Sequence, residues 1–238
     1  MEGFQEKGSL SVSRVIFDIE TIGVDFESLD SDFQEALTRW AQTEEEIQKA
    51  KDKLALSPLT GEIVTIAMLN PDTGRGGVFF QAPGQDIEPF EEDGIKFEPG
   101  DERFILERFW ESIKYYDQFI TFNGRSFDCP FIIIRSAIHR LKPTKQLLPN
   151  RYSGPHIDLL DRLTFFGATK RQSLEVFCKA FGIESPKAEG ISGGDVQELF
   201  NQGRYIDIAR YCLRDVVATK ELLYFWETYI RVENSYEY

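Results

Sequence analysis

The sequence predicts an α/β domain in which a central mixed sheet of about five strands is flanked by helices. Two observations carry that expectation. Short apolar, β-branched runs come early, whereas longer segments with helical spacing dominate later, and Pro, Gly and Asn turns separate them. With 238 residues, 42% hydrophobic and 13% aromatic, the chain can bury one sizeable core and reads as a single domain over 1–238.

The first strand is expected over Val12 to Phe17, a run apolar enough to be buried. From Asp25 to Asp52 the chain turns acidic, with Phe33, Leu37, Trp40 and Ile47 at helical spacing. Its segment TEEEIQKAKDKL leads with acids and trails with lysines, which suits the helix dipole. An acidic helical insertion over 25–56 is therefore expected to interrupt the first hairpin. Glu62 to Leu69 and Gly77 to Gln81 read as the next strands, joined by the turn Asn70-Pro71-Asp72-Thr73-Gly74. Pro83 to Gly100 reads as acidic loop. Asp101 caps a helix with Phe104, Ile105, Phe109, Trp110 and Ile113 on its apolar side. Phe119 to Phe122 is a short strand ending at Asn123-Gly124, and a helix from about Phe127 to Leu141 follows. Lys142 to Pro155 carries three prolines and several bases, and so reads as loop. Ile157 to Phe166, Ser173 to Phe181, Asp195 to Phe200 and Tyr205 to Val232 are the remaining helix candidates.

Composition excludes some classes. No run of about 18 apolar residues exists to span a membrane. The N-terminal MEGFQEKGSL has no apolar signal core, and three scattered cysteines, Cys129, Cys178 and Cys212, read as reduced thiols in a cytoplasmic protein. The net charge of −13 speaks at first against a polyanionic partner, but it is unevenly spread. Residues 1–120 hold 11 basic and 26 acidic side chains, 121–187 hold 11 and 5, and 188–238 hold 5 and 9. The middle segment, with Arg125, Arg135, Arg140, Lys142, Lys145, Arg151, Lys170 and Arg171, is where phosphates could be met.

Acidic residues stand out at three separated places: Asp18 and Glu20 in VIFDIETIG, Asp128 in FNGRSFDCPF, and Asp215 in YCLRD. Strand side chains alternate, so Asp18 and Glu20, two positions apart, point the same way. Tyr211 and Asp215 are four apart and share one helix face. Oxygen donors from distant segments suit hard divalent cations such as magnesium or manganese, and that chemistry suggests metal-assisted phosphodiester hydrolysis.

The segments Phe17-Asp18-Ile19-Glu20-Thr21, Phe122 to Phe131 and Tyr211 to Asp215 together resemble the motifs of the DEDD superfamily of 3′→5′ exonucleases. The second closely resembles the exonuclease motif of family-B DNA polymerases. The third resembles the tyrosine variant, DEDDy, since Arg210 stands where the other variant has histidine. The stretch from Ser173 to Val176, with Phe181-Gly182-Ile183 and Lys187, is also similar to predicted stand-alone exonucleases related to the family-B proofreading domain. No polymerase palm follows the motifs. The resemblance implies a ribonuclease H-like fold, two divalent cations (Mg2+ or Mn2+) and a single-stranded nucleic acid 3′ end as substrate, with DNA favoured over RNA. It implies that Asp18 bridges both ions, that Glu20 and Asp215 complete the ion holding the attacking water, and that Asp128 supports the second. Tyr211 would orient that water, because a free phenol with a pKa near 10 is a poor base.

Thr21, Asn123 and Phe127 are expected at the substrate, the phenylalanine stacking on a terminal base. For Asn123 and Phe127 a strand-end turn and a core aromatic are equally open. Asp158 resembles a recurrent family aspartate but also fits an early-helix acid, and His139 and His156 read as structural. Three rival readings stand beside this one. They are an exoribonuclease with the same site, a non-catalytic nucleic-acid-binding module of the same fold, and a phosphatase or phosphotransferase using Asp18 as covalent nucleophile. The last usually has an aspartate where Glu20 stands, and it gives Tyr211 no task.

Overall fold

Residues 12–187 and 190–232 are described by the computed structural model, so the N-terminal segment read for a signal core lies outside them. The first strand, β1, runs from Arg14 to Gly23, well beyond the expected end at Phe17, and carries the first acidic motif within it. Its alternation feeds two cores. Val15, Phe17 and Ile19 enter a cluster with Phe109, Trp110, Phe119 and Phe131, while Ile16 joins Leu69, Phe80, Phe97 and Leu222 on the opposite face. Phe17, fully buried and edge-on to Phe109 at 5.2 Å, contributes about 2–3 kcal/mol of burial.

β1 pairs antiparallel with β2 (Gly61–Leu69) and parallel with β6 (Gln118–Thr121). With β3 (Gly76–Phe80), β4 (Phe90–Glu92), β5 (Ile95–Pro99) and β7 (His156–Asp158), the sheet has the order β4-β5-β3-β2-β1-β6-β7. It is mixed, as expected, but among the described residues has seven strands rather than about five. Of the three strands that the sequence did not place, two lie in the stretch expected to be acidic loop. There Ile95 and Phe97 turn inward between exposed or half-buried polar neighbours, and Asp93-Gly94, at φ 49° and 80°, makes the tight turn. The third, β7, opens what was expected to be helix.

Helix α3 (Glu102–Ile113), capped by Asp101, and helix α4 (Asp128–Ile138) cover one face. The long α8 (Tyr205–Phe225) covers the other, touching β1, β2 and β3. It stops at Phe225, short of the expected Val232, and one π-type turn follows over Trp226–Ile230. The expected helix from Ile157 shrinks to α5 (Leu159–Leu163), because Asp158 caps it and Phe165 and Phe166 take left-handed backbone at φ 49° and 56°. Helices α6 (Leu174–Phe181) and α7 (Val196–Asn201) lie close to their expected places, α6 ending on Gly182 at φ 69°.

The insertion is helical as expected, with α1 (Ser31–Thr38) capped by Asp30 and α2 (Glu44–Asp52) capped by Thr43. Neither helix has a buried residue. Leu54 and the hydrogen bonds Thr60 Oγ1 to Leu54 O and Thr21 Oγ1 to Ala55 O fasten the segment to the sheet. Leu37, Trp40 and Leu54 help line a cavity of about 500 Å³ there, which none of the motif acids reaches.

Candidate active site

The site forms where β1 loses its regular pairing. Glu20 faces Thr65 across the sheet, but Thr21 faces Ile63, so the register slips by one residue between them. Asp18 and Glu20 project from the α8 side just before that slip, on the same face as Ile16. Cys212 of α8 meets them: its thiol donates to the Asp18 carbonyl at 3.4 Å and lies 3.7 Å from Oδ2. The ligand atoms of Asp18, Glu20 and Cys212 lie within 4.8 Å of one another.

Asp128 arrives from the other layer. As the first residue of α4 it is buried, and its Oδ1 accepts the Ile19 amide at 3.2 Å, between the two acids of β1. The preceding loop is tightly folded. Asn123 sits at φ 67°, and a Cβ on Gly124 would fall 2.4 Å from Thr121 Oγ1, which leaves room only for glycine. Asp158 holds this loop, accepting the amides of Asn123 (2.9 Å), Arg125 (3.0 Å) and Leu160 (3.0 Å). It is thus both the early-helix acid and a clasp on the second motif. Asp215, one turn beyond Tyr211 on α8, accepts a hydrogen bond from the phenol.

Burial and mutual repulsion dominate the electrostatics. Asp18 and Glu20 are held well above the carboxylate range, first by desolvation and then by the charges of Asp128 and Asp215. Burial also lifts Asp128 to about 7, with Asp158 and Asp215 adding to it, and lifts Asp215 to about 7 against the opposing Tyr211 bond and the charges of Arg214 and Lys187. Burial, followed by the negative charge of Asp215, Glu20 and Asp18, raises the Tyr211 phenol. It is a hydrogen-bond donor and not a base at neutral pH. The Cys212 thiol is raised as well, by burial and the same acids, so it stays protonated and offers no thiolate. What remains is a cluster of carboxylate oxygens whose repulsion a hard divalent cation would relieve.

The other sequence candidates are placed as follows. Thr21 is buried and its hydroxyl is donated to Ala55 O at 2.7 Å. Asn123 accepts from Arg171 Nη2 at 2.6 Å, and Phe127 is half-buried against Phe131, with ring centroids 5.5 Å apart. His156 is buried and held far below its usual range, to about 3, between Thr121 and Leu147; His139 pairs with the buried Glu102. Lys187 pairs with Glu175 at 2.8 Å while its charge still reaches Asp215. Of the basic middle segment, Arg135 is taken by Glu102, Lys145 donates to Tyr116 O and Arg125 to Pro149 O, whereas Arg140, Lys142 and Lys170 are exposed. The sequence reading took Cys212 only as a reduced thiol and left Asp161 unremarked. The readable signal for Cys212 was its spacing of three from Asp215 on one helix.

Fold and site together define a mixed-sheet α/β domain with acids from one strand and two helices gathered beside one bulge. Residues 85–234 match the family described as a predicted 3′→5′ exonuclease related to the exonuclease domain of PolB, and the chain belongs to that family. The matched stretch includes Asp128, Tyr211 and Asp215, while Asp18 and Glu20 precede it. Among solved structures, the family B DNA polymerase from the hyperthermophilic archaeon Pyrobaculum calidifontis is similar over 95% of this chain, with a TM-score of 0.59 and 20% identity. The chain spans a quarter of that polymerase (25%), and the likeness establishes a ribonuclease H-like, polymerase-exonuclease type of fold. No curated protein matches. Among the described residues, no helix is long and apolar enough to cross a membrane.

Proposed function

We propose that this chain is a DEDDy-type, two-metal 3′→5′ exonuclease that shortens single-stranded DNA. The observation that carries the reading is the convergence of Asp18, Glu20, Asp128 and Asp215 from distant segments, with the Tyr211 phenol bonded to Asp215. Their raised proton affinities are those of a buried anionic cluster suited to cations. Asp18, Glu20 and Asp215 would hold one divalent ion, and Asp18 with Asp128 the other. Bound there, such ions supply Lewis-acid activation of water and charge for the departing 3′ oxygen. The protein's own part is to keep Tyr211 protonated and bonded to Asp215, so that a lone pair of the phenol oxygen accepts from the attacking water and orients it. The backbone clasp of Asp158 fixes Asp128 against β1. DNA is favoured over RNA because the second motif resembles those of DNA polymerases and the fold matches one.

Degradation of matched 5′-labelled DNA and RNA oligonucleotides with Mg2+, Mn2+ or EDTA tests this. The expected result is a 3′-shortened ladder on DNA that needs the metal and disappears in Asp18→Ala. Preferential RNA cleavage would transfer the same site to an exoribonuclease. No cleavage of either polymer, or full activity in Asp18→Ala, would sink the nuclease assignment.

A further inference from the structure

We infer that an arginine and aromatic surface beside the Asn123 loop is the track along which a single-stranded polynucleotide enters the acidic site, an inference that rests on the nuclease reading above. Its foundation is Asp161, on the first turn of α5. This carboxylate is only 4% exposed, yet it pairs with two arginines that are themselves 41% and 39% exposed. Arg151 Nε donates to it at 2.7 Å and Arg171 Nη1 at 3.2 Å. A buried anion thus fixes two guanidinium forks and leaves much of each facing solvent. One carboxylate cannot neutralise both, so the trio keeps a net positive charge, in the one third of the chain where basic residues outnumber acidic ones.

The arginines are tied to the site. Arg171 Nη2 also donates to Asn123 Oδ1 at 2.6 Å, and Asn123 opens the loop that ends in Asp128. Aromatic rings lie beside them. Tyr152 and Phe165 are 65% and 59% exposed, and the Tyr152 ring lies 4.8 Å from Phe166. The guanidinium of Arg162 sits 4.9 Å from the Phe166 ring, with that of Arg151 at 5.9 Å. Phe165 and Phe166 are consecutive non-glycine residues in left-handed backbone, a conformation bulky residues avoid unless the surroundings impose it. The imposed geometry holds Phe165 out in water, where core packing does not explain it. Exposed π faces interleaved with fixed guanidinium forks suit stacked bases and phosphates, and they read no particular sequence.

The test measures binding by the full-length chain, with fluorescein-labelled oligothymidylate and oligouridylate of two to twenty nucleotides in EDTA. The wild type should gain affinity with length. Phe165→Ala and Tyr152→Ala, both on exposed rings, should each weaken binding of the long strand by about tenfold and leave the dinucleotide unaffected. Arg151→Ala with Arg171→Ala should also lower the slope of log affinity against log salt by about 1.4, since each phosphate contact on a single strand accounts for about 0.7. Equal losses for DNA and RNA arms are expected, because base faces and phosphates are common to both polymers. Wild-type affinity and salt slope in all variants would overturn the track and leave the nuclease reading standing. Equal loss on dinucleotide and long strand would overturn it too, by assigning the effect to the site itself. A wild-type chain that binds no oligonucleotide in EDTA and cleaves none with Mg2+ or Mn2+ would remove both.

Discussion

At the scale of single residues, the site is a set of acids made unfavourable for one another. Asp18→Asn removes one of those charges and should stabilise the metal-free protein by on the order of 1–2 kcal/mol, while abolishing activity and most of the stabilisation by Mn2+. Thermal melts with and without the ion check it; a destabilised metal-free variant would show that Asp18 is held by contacts and not strained by repulsion. Tyr211 presents the opposite case, because its phenol is raised and bonded to Asp215. Tyr211→Phe should slow turnover on the order of a hundredfold and preserve the shift in Tm caused by metal. Equal loss of metal binding would mean that the ring serves packing. In the sequence, strand and helix periodicity put Asp18 with Glu20 and Tyr211 with Asp215 on common faces, and the resemblance to exonuclease motifs joined the two pairs. Asp161 was not, since its role depends on arginines ten residues away on both sides, brought in by loops.

At the scale of elements, the loop between β6 and α4 depends on a residue outside it. Asp158 accepts amides from Asn123 and Arg125, so Asp158→Ala should cost about 2–3 kcal/mol in urea unfolding, with activity falling as Asp128 loses its fixed position. Asp158→Asn keeps one accepting oxygen and, because burial already raises this carboxyl, should recover most of the stability. A fully stable Asp158→Ala would show that Gly124 and its neighbours hold the loop unaided. Elements with long periodic runs, such as α3 and α8, could be read from the sequence. The hairpin of β4 and β5 could not, because three- and five-residue strands among acids carry too little alternation. The short α5 was overextended because nothing local marks Phe165 and Phe166 as left-handed; tertiary packing imposes it.

At the scale of the whole molecule, protons and the proposed metal ions would compete for one cluster. Folding raises the affinity of these carboxylates for protons, so metal-free stability should fall as pH rises from the ordinary carboxylate range through about 7, where Asp128 and Asp215 ionise. A cation needs the ionised forms, so the Tm gain from Mn2+ should be larger at pH 8 than at pH 6. Equal gains at the two values would place the ion elsewhere. The acidic average of the chain hid the basic third, and the charge distribution is what reconciles a net charge of −13 with the proposed polyanionic substrate.

The contact between Cys212 and Asp18 joins positions 194 residues apart. Synthesis runs from the N-terminus, so the first acids emerge long before the helix that completes them. Until α8 docks, β1, β2 and β3 lack the cover that this helix provides, and Asp18 and Glu20 have neither Asp215 nor Tyr211 beside them. The four acids can therefore meet only once α8, the last long helix among the described residues, has been made.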